Sequence, residues 1–520
     1  MNAEPPKRPR LLRRTLLLGS LTFLSRLLGF VRESVMAALL GAGAAADAFF
    51  VAFRWPNMVR QLLADGIAQP ALLPLLLPLR DDATAFRALL GRLLLSVATG
   101  LSLLTMLAWL AAPLLSLLLA PGYADDPTQW VLATELLRIT LPYVLLAGAG
   151  AVLVAALFVH ERDVAAGLWP LLPNLALIAV PLALAGGGWT SMHDAAAALL
   201  VGGLLQLLLP LYICWRLRLL GRPRTTRQDP RLRQFLGLLW PSLLGGVVLS
   251  ANALVGTLLA SFLAAGSISW LYLADRLLQF PQGIIGGALA AVLLQQLGLA
   301  IARGETSRND AITAWATRLC WWLALPTTLA LLLLAEPLAW TVFGYGQFTA
   351  NDVRMCALAT AAMGLGLPAF LLARVRAAAL YAAQDRRTPL CAALASLAVN
   401  STLGVVAVIC LGGGDSMMAP HAGIALAMAT ACWVQWWWLG RRLPRSPTTE
   451  RRTCLPPTLI AASLLVALWS WWPSRLPEWA ALSAVSRLLQ TGVVLLAGLL
   501  LYGLALWAGG VRAADWRGPA

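Results

Sequence analysis

Arginines stand where the chain is otherwise apolar, and they are the residues with chemistry to offer. The first apolar run carries Arg26, Arg32 and Glu33, and the second carries Asp47, Arg54, Arg60 and Asp65. The eighth holds Asp275 and Arg276, and the tenth holds Arg374 and Arg376. A charge at the centre of a bilayer costs at least ~2.5–3.5 kcal/mol on insertion scales, so each needs an acidic partner, a water-filled cavity or an anionic ligand. Arg26 lies 11 residues beyond the basic start of its run, roughly 16 Å deep at the helical rise, and Arg276 lies about 15 Å from its outer end. Internal pairing accounts for part of the set. Arg26 and Glu33 are seven apart and share a helix face, and Asp275 is a candidate partner for Arg54 or Arg374. Seven arginines (26, 32, 54, 60, 276, 374 and 376) against Glu33, Asp47, Asp65 and Asp275 still leave a positive surplus. A cavity that extrudes cations wants the opposite sign. Guanidinium forks suit bidentate binding of phosphate or pyrophosphate.

Other chemistry is excluded or weak. Lys7 is the only lysine, so there is neither a phosphate-cradling P-loop for ATP nor a Schiff-base lysine. His160, His193 and His421 lie in or beside loops with no carboxylate or cysteine at catalytic or metal spacing, and no metal site is expected. Asp125 and Asp126 read as a solvated acidic pair. The seven cysteines are scattered without a C-x-x-C pair and read as small apolar residues. No nucleophile–base constellation appears, so no enzymatic activity is expected. A net charge of +16 and pI near 10.6 come from arginines in short loops; they point to membrane topology rather than to nucleic acid.

The elements that must position these arginines are membrane helices. Hydrophobic residues make up 60% of the 520 and charged ones 12%, with mean hydropathy +0.76; soluble domains carry roughly a quarter charged residues. Fourteen spans are predicted, near 17–40, 47–79, 93–119, 129–159, 165–186, 195–215, 236–263, 267–302, 312–343, 354–383, 388–412, 420–440, 455–472 and 480–508. Arginine-rich loops alternate with arginine-poor ones throughout, which places both termini in the cytoplasm. Arg13-Arg14-Thr15 before Leu16-Leu17-Leu18 resembles a secretory signal, but Arg26 and Arg32 interrupt the apolar run, so an uncleaved first helix is expected. An internal repeat is visible. Leu110-Ala111-Ala112-Pro113-Leu114 recurs as Leu334-Ala335-Glu336-Pro337-Leu338, and Leu141-Pro142-Tyr143-Val144-Leu145-Leu146 as Leu367-Pro368-Ala369-Phe370-Leu371-Leu372. Ala42-Gly43 recurs as Ala265-Gly266. The fold expected is an all-α polytopic membrane protein with two parallel six-helix repeats, 1–220 and 221–445. Two further helices in 446–520 follow, and substrate is expected where the repeats meet.

The opening segment resembles a known family. Ser25-Arg26-Leu27-Leu28-Gly29-Phe30-Val31-Arg32, Gly41-Ala42-Gly43, and Asp47-Ala48-Phe49-Phe50-Val51-Ala52-Phe53-Arg54 running on to Pro56-Asn57 are similar to the start of the MurJ/MviN lipid II flippases, in the multidrug/oligosaccharidyl-lipid/polysaccharide exporter superfamily. Ala120-Pro121-Gly122-Tyr123-Ala124, Tyr272-Leu273-Ala274-Asp275-Arg276, Phe343-Gly344-Tyr345-Gly346-Gln347-Phe348-Thr349 and Gln384-Asp385 also match. The resemblance covers the first twelve spans, more weakly the last two. It implies a V-shaped pair of lobes around a cationic cavity, with Arg26, Arg32, Asp47, Arg60 and Arg276 as its essential charges and Arg54 at another basic position. It also implies a groove for a polyprenyl tail along the last two helices. Departures are Ala378-Ala379-Leu380-Tyr381 where the family has Pro-Gly-Phe-Tyr, Gln295 in place of a proline, and His160-Glu161-Arg162-Asp163 in the turn after span four.

The function this implies is translocation of lipid II, an undecaprenyl-pyrophosphate-linked muropeptide, from the inner to the outer leaflet of a bacterial inner membrane. The substrate-binding residues expected are Arg26, Arg32, Asp47, Arg54, Arg60, Arg276 and Arg374, with Glu33, Asp65 and Asp275 as charge partners. No cofactor is expected. An ion gradient, the membrane potential or consumption of substrate on the outer side would supply the drive; lipid II and membrane lipids are the expected partners, cell-wall synthesis proteins are candidates, and nucleic acid is not expected. The alternatives are a flippase for another polyprenyl-pyrophosphate-linked glycan, which fits the charge equally, and a cation-coupled drug exporter, which the arginine surplus disfavours.

Overall fold

The structure is a computed structural model. It describes residues 8–63, 71–185, 191–221, 231, 234–235, 237, 251–411, 419–441, 455–472, 479–512 and 515–516. Asp65, one of the predicted charge partners, and half of predicted span seven lie outside the described residues. All regular elements among them are helical. The chain divides into two compact units, Met1–Ser250 and Ala251–Ala520.

The first unit contains α1 (Arg8–Leu40), α2 (Ala44–Leu63), α3 (Ala83–Leu110), α4 (Ala112–Leu119), α5 (Pro127–Thr140), α6 (Pro142–Val159), α7 (Leu172–Ala185) and α8 (Met192–Arg216). Proline and capping chemistry set the boundaries. Asp82 caps α3 by accepting from the Thr84 and Ala85 amides at 3.0 and 2.9 Å. Predicted span three breaks at Ala111, ahead of Pro113, and span four breaks at Leu141, ahead of Pro142, where each proline sits in the first turn of the next helix. The rod formed by α5 and α6 is the centre of this unit. Its most apolar stretch is 78% buried, against 17% for α3, whose Leu103, Leu104, Leu107 and Leu110 face outward. Small residues let the rod pack closely. A Cβ on Gly150 would lie 2.6 Å from the Gln206 carbonyl oxygen of α8. Here Trp169 Nε1 donates to Gln206 O at 2.9 Å and Gln206 Nε2 donates to Trp169 O at 3.1 Å. Tyr143 OH donates to Gln206 Oε1 at 3.1 Å, which completes a buried polar brace.

The second unit contains α9 (Ala251–Ala260), α10 (Ser267–Pro281), α11 (Gly287–Ala302), α12 (Thr306–Leu333), α13 (Ala335–Phe343), α14 (Ala350–Gly364), α15 (Leu367–Ala382), α16 (Arg387–Leu411), α17 (Pro420–Gly440), α18 (Leu455–Trp471) and α19 (Ala484–Ala508). Breaks recur at the repeated motifs: at Leu334 ahead of Pro337, and at Gly366 ahead of Pro368. The α14–α15 rod is 67% buried and α16 only 22%, so spans four and ten hold equivalent central places, each in its own unit. Thr349 and Asp352 form a capping box on α14. Gly266, at φ +98°, opens α10 in a conformation that L side chains rarely adopt. A π-helical turn, Gln282–Gly286, follows Pro281 and joins α10 to α11. At the departure noted above, α15 runs unbroken through Ala378 and Ala379. The last two helices close onto α12 through a core that includes Trp322, Leu465, Trp469, Val494, Tyr502 and Leu506.

Eight described helices are long and apolar enough to cross a membrane. Span two is shorter as a helix than predicted, since α2 ends at Leu63. Residues 71–79 then form short π, α and 3-10 turns around Pro74 and Pro78, because proline lacks the amide that a continuous helix requires.

Candidate functional site

In the first unit the predicted arginines separate into two groups. Arg32 on α1 and Arg60 on α2 line one small polar cavity of about 90 Å³ together with Ser25, Asn57, Tyr143 and Asn174. Arg32 Nη1 donates to Asn174 Oδ1 at 2.9 Å, its Nη2 pairs with Glu33, and its guanidinium lies 5.4 Å from the centre of the Phe53 ring. Asn174 is held in turn. Its amide donates to Ser25 O at 3.2 Å and to Pro170 O at 3.4 Å, which fixes the register of α1 against α7. Arg60 donates from Nε and Nη2 to Asn57 Oδ1 at 3.3 and 3.1 Å. Asn57 lies one turn earlier on the same helix, so among the described residues Arg60 is held by a neutral amide.

Arg26 is exposed and makes no hydrogen bond or ion pair among the described residues. The expected Arg26–Glu33 pairing is therefore not found. Glu33 is buried against its neighbour Arg32, whose guanidinium reaches it directly. Asp47 is buried in the first turn of α2, and Arg54 is half-buried two turns on, along the same face.

In the second unit uncharged groups help to hold the arginines. Arg276 Nη1 donates to Gln279 Oε1 at 2.7 Å, and Gln279 Nε2 donates to Asp275 Oδ2 at 2.7 Å, so one amide links the cation and the carboxylate. The Arg276 guanidinium also stacks 4.6 Å from the centre of the Tyr272 ring. Asp275 is thus engaged within its own helix. Arg374 lies 4.9 Å from the Phe370 ring and packs against Gly286, at the end of the π-helical turn. Arg376, counted in the surplus, turns elsewhere. Its Nη1 donates to Trp436 O at 2.6 Å and it stacks 4.2 Å from that ring, near the carboxyl end of α17 where a cation is favoured.

Charge alone does not point to the neutral residues Asn57, Asn174, Gln279, Tyr143 and Ser25. One signal was available: Asn57 sits three residues from both Arg54 and Arg60, on a shared helical face. Two loop assignments change. Asp126 is a cap on α5, accepting from Thr128 Oγ1 at 2.6 Å and from the Thr128 and Gln129 amides. These bonds, led by the Thr128 hydroxyl, hold its carboxyl below the usual range. His193 does have a carboxylate in reach, Glu135 Oε2 at 3.2 Å, from a residue 58 positions away.

Known proteins are similar to this chain in sequence and in fold. Residues 36–490 match the family model described as Lipid II flippase MurJ. The chain belongs to this family. Asp47, Arg54, Arg60, Arg276 and Arg374 fall inside the matched residues, and Arg26 and Arg32 just ahead of them. Among curated relatives it is 30% identical over 514 residues to a probable lipid II flippase MurJ of Haemophilus influenzae, covering 95% of this chain and 98% of that protein. It is 33% identical to a probable lipid II flippase MurJ of Rhizobium meliloti, covering 94% and 91%. Among solved structures, a lipid II flippase MurJ in an inward closed conformation superposes with a TM-score of 0.75 at 21% identity, covering 94% and 98%. An inward-facing multidrug resistance MATE transporter of the MOP superfamily superposes at 0.66, with 15% identity, covering 82% and 97%. The fold is that of this superfamily, and the chain is a multi-pass membrane protein.

Proposed function

We propose that this chain translocates lipid II across the bacterial inner membrane by alternating access, with both termini in the cytoplasm. Membership of the family and the relatives' activity support the substrate. The observation that carries the chemistry is the cavity shared by Arg32 and Arg60, where, among the described residues, Arg60 is oriented by the neutral Asn57. A held, charged guanidinium presents its fork to a pyrophosphate at little further entropic cost. Phe53 and Asn174 keep Arg32 in place beside it. Arg276, aligned by Gln279, and Arg374 offer the same chemistry from the second unit. The exposed, apolar face of α19, with Leu488, Leu489 and Leu496 outward, suits a polyprenyl tail that stays in lipid. The drive is an ion gradient or the membrane potential, in keeping with a single lysine and no phosphate-binding loop.

The test is binding of lipid II to the full-length protein in nanodiscs, compared with Arg60→Gln. Loss of a charged hydrogen-bond donor is expected to weaken binding by about tenfold, while a neutral polyprenol with the same tail binds both proteins equally. Unchanged lipid II affinity in Arg60→Gln would remove the cavity from the account.

A further inference from the structure

Part of the arginine cavity is formed by Tyr143, the second residue of α6, at the break in the central rod. The side chain is buried, and α8 closes on its ring: a Cβ on Gly203 would lie 2.7 Å from Tyr143 Cδ2. Gln206, one turn further along α8 and fully buried, accepts the hydroxyl proton on Oε1 at 3.1 Å. The orientation of this amide is fixed from its other end. Gln206 Nε2 donates to Trp169 O at 3.1 Å, so turning the amide over would set one carbonyl oxygen against another. Trp169 Nε1 in turn donates to Gln206 O at 2.9 Å. Trp169 stands directly before Pro170, which lines the cavity with Pro173 and Asn174. The brace therefore ties α6, α8 and the entry to α7 together around the cavity.

A phenol has one proton and two lone pairs. With the proton committed to Gln206, Tyr143 offers a ligand an acceptor only. Its oxygen lies within electrostatic reach of both Arg60 and Arg32. Ser25, in the same cavity, also sends its hydroxyl proton to a carbonyl, Pro170 O at 3.4 Å. The cavity thus combines cationic donors with hydroxyl oxygens that accept. A ligand that meets both needs phosphate oxygens for the guanidinium groups and an N–H or O–H beside them for Tyr143.

We propose that Tyr143 selects a polyprenyl pyrophosphate that carries a sugar over the same polyprenyl pyrophosphate without one. The inference rests on the reading that this cavity receives the pyrophosphate of the lipid-linked substrate. Hydroxyl and amide groups of a sugar next to the phosphate supply the donor. A bare terminal phosphate presents oxyanions, which meet the phenol oxygen acceptor against acceptor and leave it unpaired. A site built to bond a donor rejects the analogue that lacks it. A cavity of about 90 Å³ admits the junction of phosphate and sugar rather than a whole head group, so the peptide is not what Tyr143 reads. The carrier stripped of its sugar shares both tail and pyrophosphate with lipid II, and it is the competitor that such a site excludes.

Full-length protein in nanodiscs is titrated with lipid II and, separately, with undecaprenyl pyrophosphate, and the quantity read is the ratio of the two affinities. The ratio cancels any difference in folded fraction between preparations. Tyr143→Phe keeps the ring and removes the acceptor. It is expected to shift the ratio about fivefold toward undecaprenyl pyrophosphate, the worth of one neutral hydrogen bond. Gln206→Met keeps the length of the side chain but frees the Tyr143 proton to donate to phosphate, so it is expected to shift the ratio the same way by tightening undecaprenyl pyrophosphate. A brace with a structural role alone would weaken both lipids alike. A ratio equal to that of wild type in either variant therefore overturns the inference and leaves the arginine cavity standing. Wild-type protein that binds neither lipid overturns the underlying reading of the cavity as well.

Discussion

Asn174→Asp separates the two roles open to the polar cavity: holding Arg32 in place, or keeping the site positive. Asn174 Oδ1 already accepts from Arg32 Nη1 at 2.9 Å, so a carboxylate there keeps this bond while losing the two that the Asn174 amide donates to the Ser25 and Pro170 carbonyls. It turns a neutral partner into an ionic one and adds a negative charge to a cavity of about 90 Å³. A phosphate bound at Arg60 across so small a space would lie about 7 Å from the new charge. At an effective dielectric constant of ~20, repulsion at that distance is about 2 kcal/mol per unit charge. That corresponds to a loss of about thirtyfold in affinity for a singly charged phosphate, and more for a pyrophosphate. Asn174→Ala makes the opposite change. It removes the support of Arg32 and of the Ser25 and Pro170 carbonyls, costing about 1–3 kcal/mol of stability for the group left unsatisfied, and adds no charge. The assay is lipid II binding in nanodiscs alongside thermal stability of the same preparations. The account predicts that both variants lose stability, since neither aspartate nor alanine can donate to the Ser25 and Pro170 carbonyls, and that Asn174→Asp binds more poorly than Asn174→Ala. An Asn174→Asp protein with wild-type affinity would refute the electrostatic reasoning and leave the residue as a support only.

Further outcomes follow from the same geometry. Arg26→Ala and Arg276→Ala are expected to insert normally but to lose transport; full activity in both would sink the cationic-cavity account. Arg487→Met strips donors from the carbonyls of Trp340, Gly344, Trp479 and Ala480, at about 1.5–3 kcal/mol for each strong charged bond lost. It should therefore lower the melting temperature far more than substitution of an outward leucine of α19. Gly150→Ala forces a Cβ against Gln206 O and Trp169 Nε1, and overpacking of this kind costs about 1–3 kcal/mol, measurable as earlier thermal aggregation. The depressed Asp126 carboxyl contributes its stabilisation above the ordinary carboxylate value of 3.8 and loses it as pH falls through the lower folded value. The α5 cap should thus persist through mild acid, and Asp126→Asn should match wild type in hydrogen exchange at the start of α5 while Asp126→Ala should not.

Sequence carried the architecture because lipid imposes it. Backbone groups in hydrocarbon must be satisfied within a helix, so apolar length alone predicts the spans. Prolines stand at their breaks, and Pro113 and Pro337, like Pro142 and Pro368, mark equivalent interruptions in the two units. The arginines were legible because a charge in an apolar run stands out. Their partners were not. Glu33 was assigned to Arg26 by helical spacing, yet the adjacent Arg32 takes it, since neighbouring side chains can fold back along a helix to meet. Asn174, 142 residues from Arg32, has no local pattern that announces it. Arg376 looked identical in sequence to Arg374, and only the packing of α15 on α17 sends one to a helix end and the other to Gly286.

The most direct measurement of the central claim is outer-leaflet lipid II in cells depleted of their own lipid II flippase and expressing this chain. The account predicts restored growth with restored outer-leaflet lipid II, and neither with Arg60→Gln at equal membrane abundance. Normal membrane abundance of the unmodified chain with no lipid II reaching the outer leaflet would contradict it.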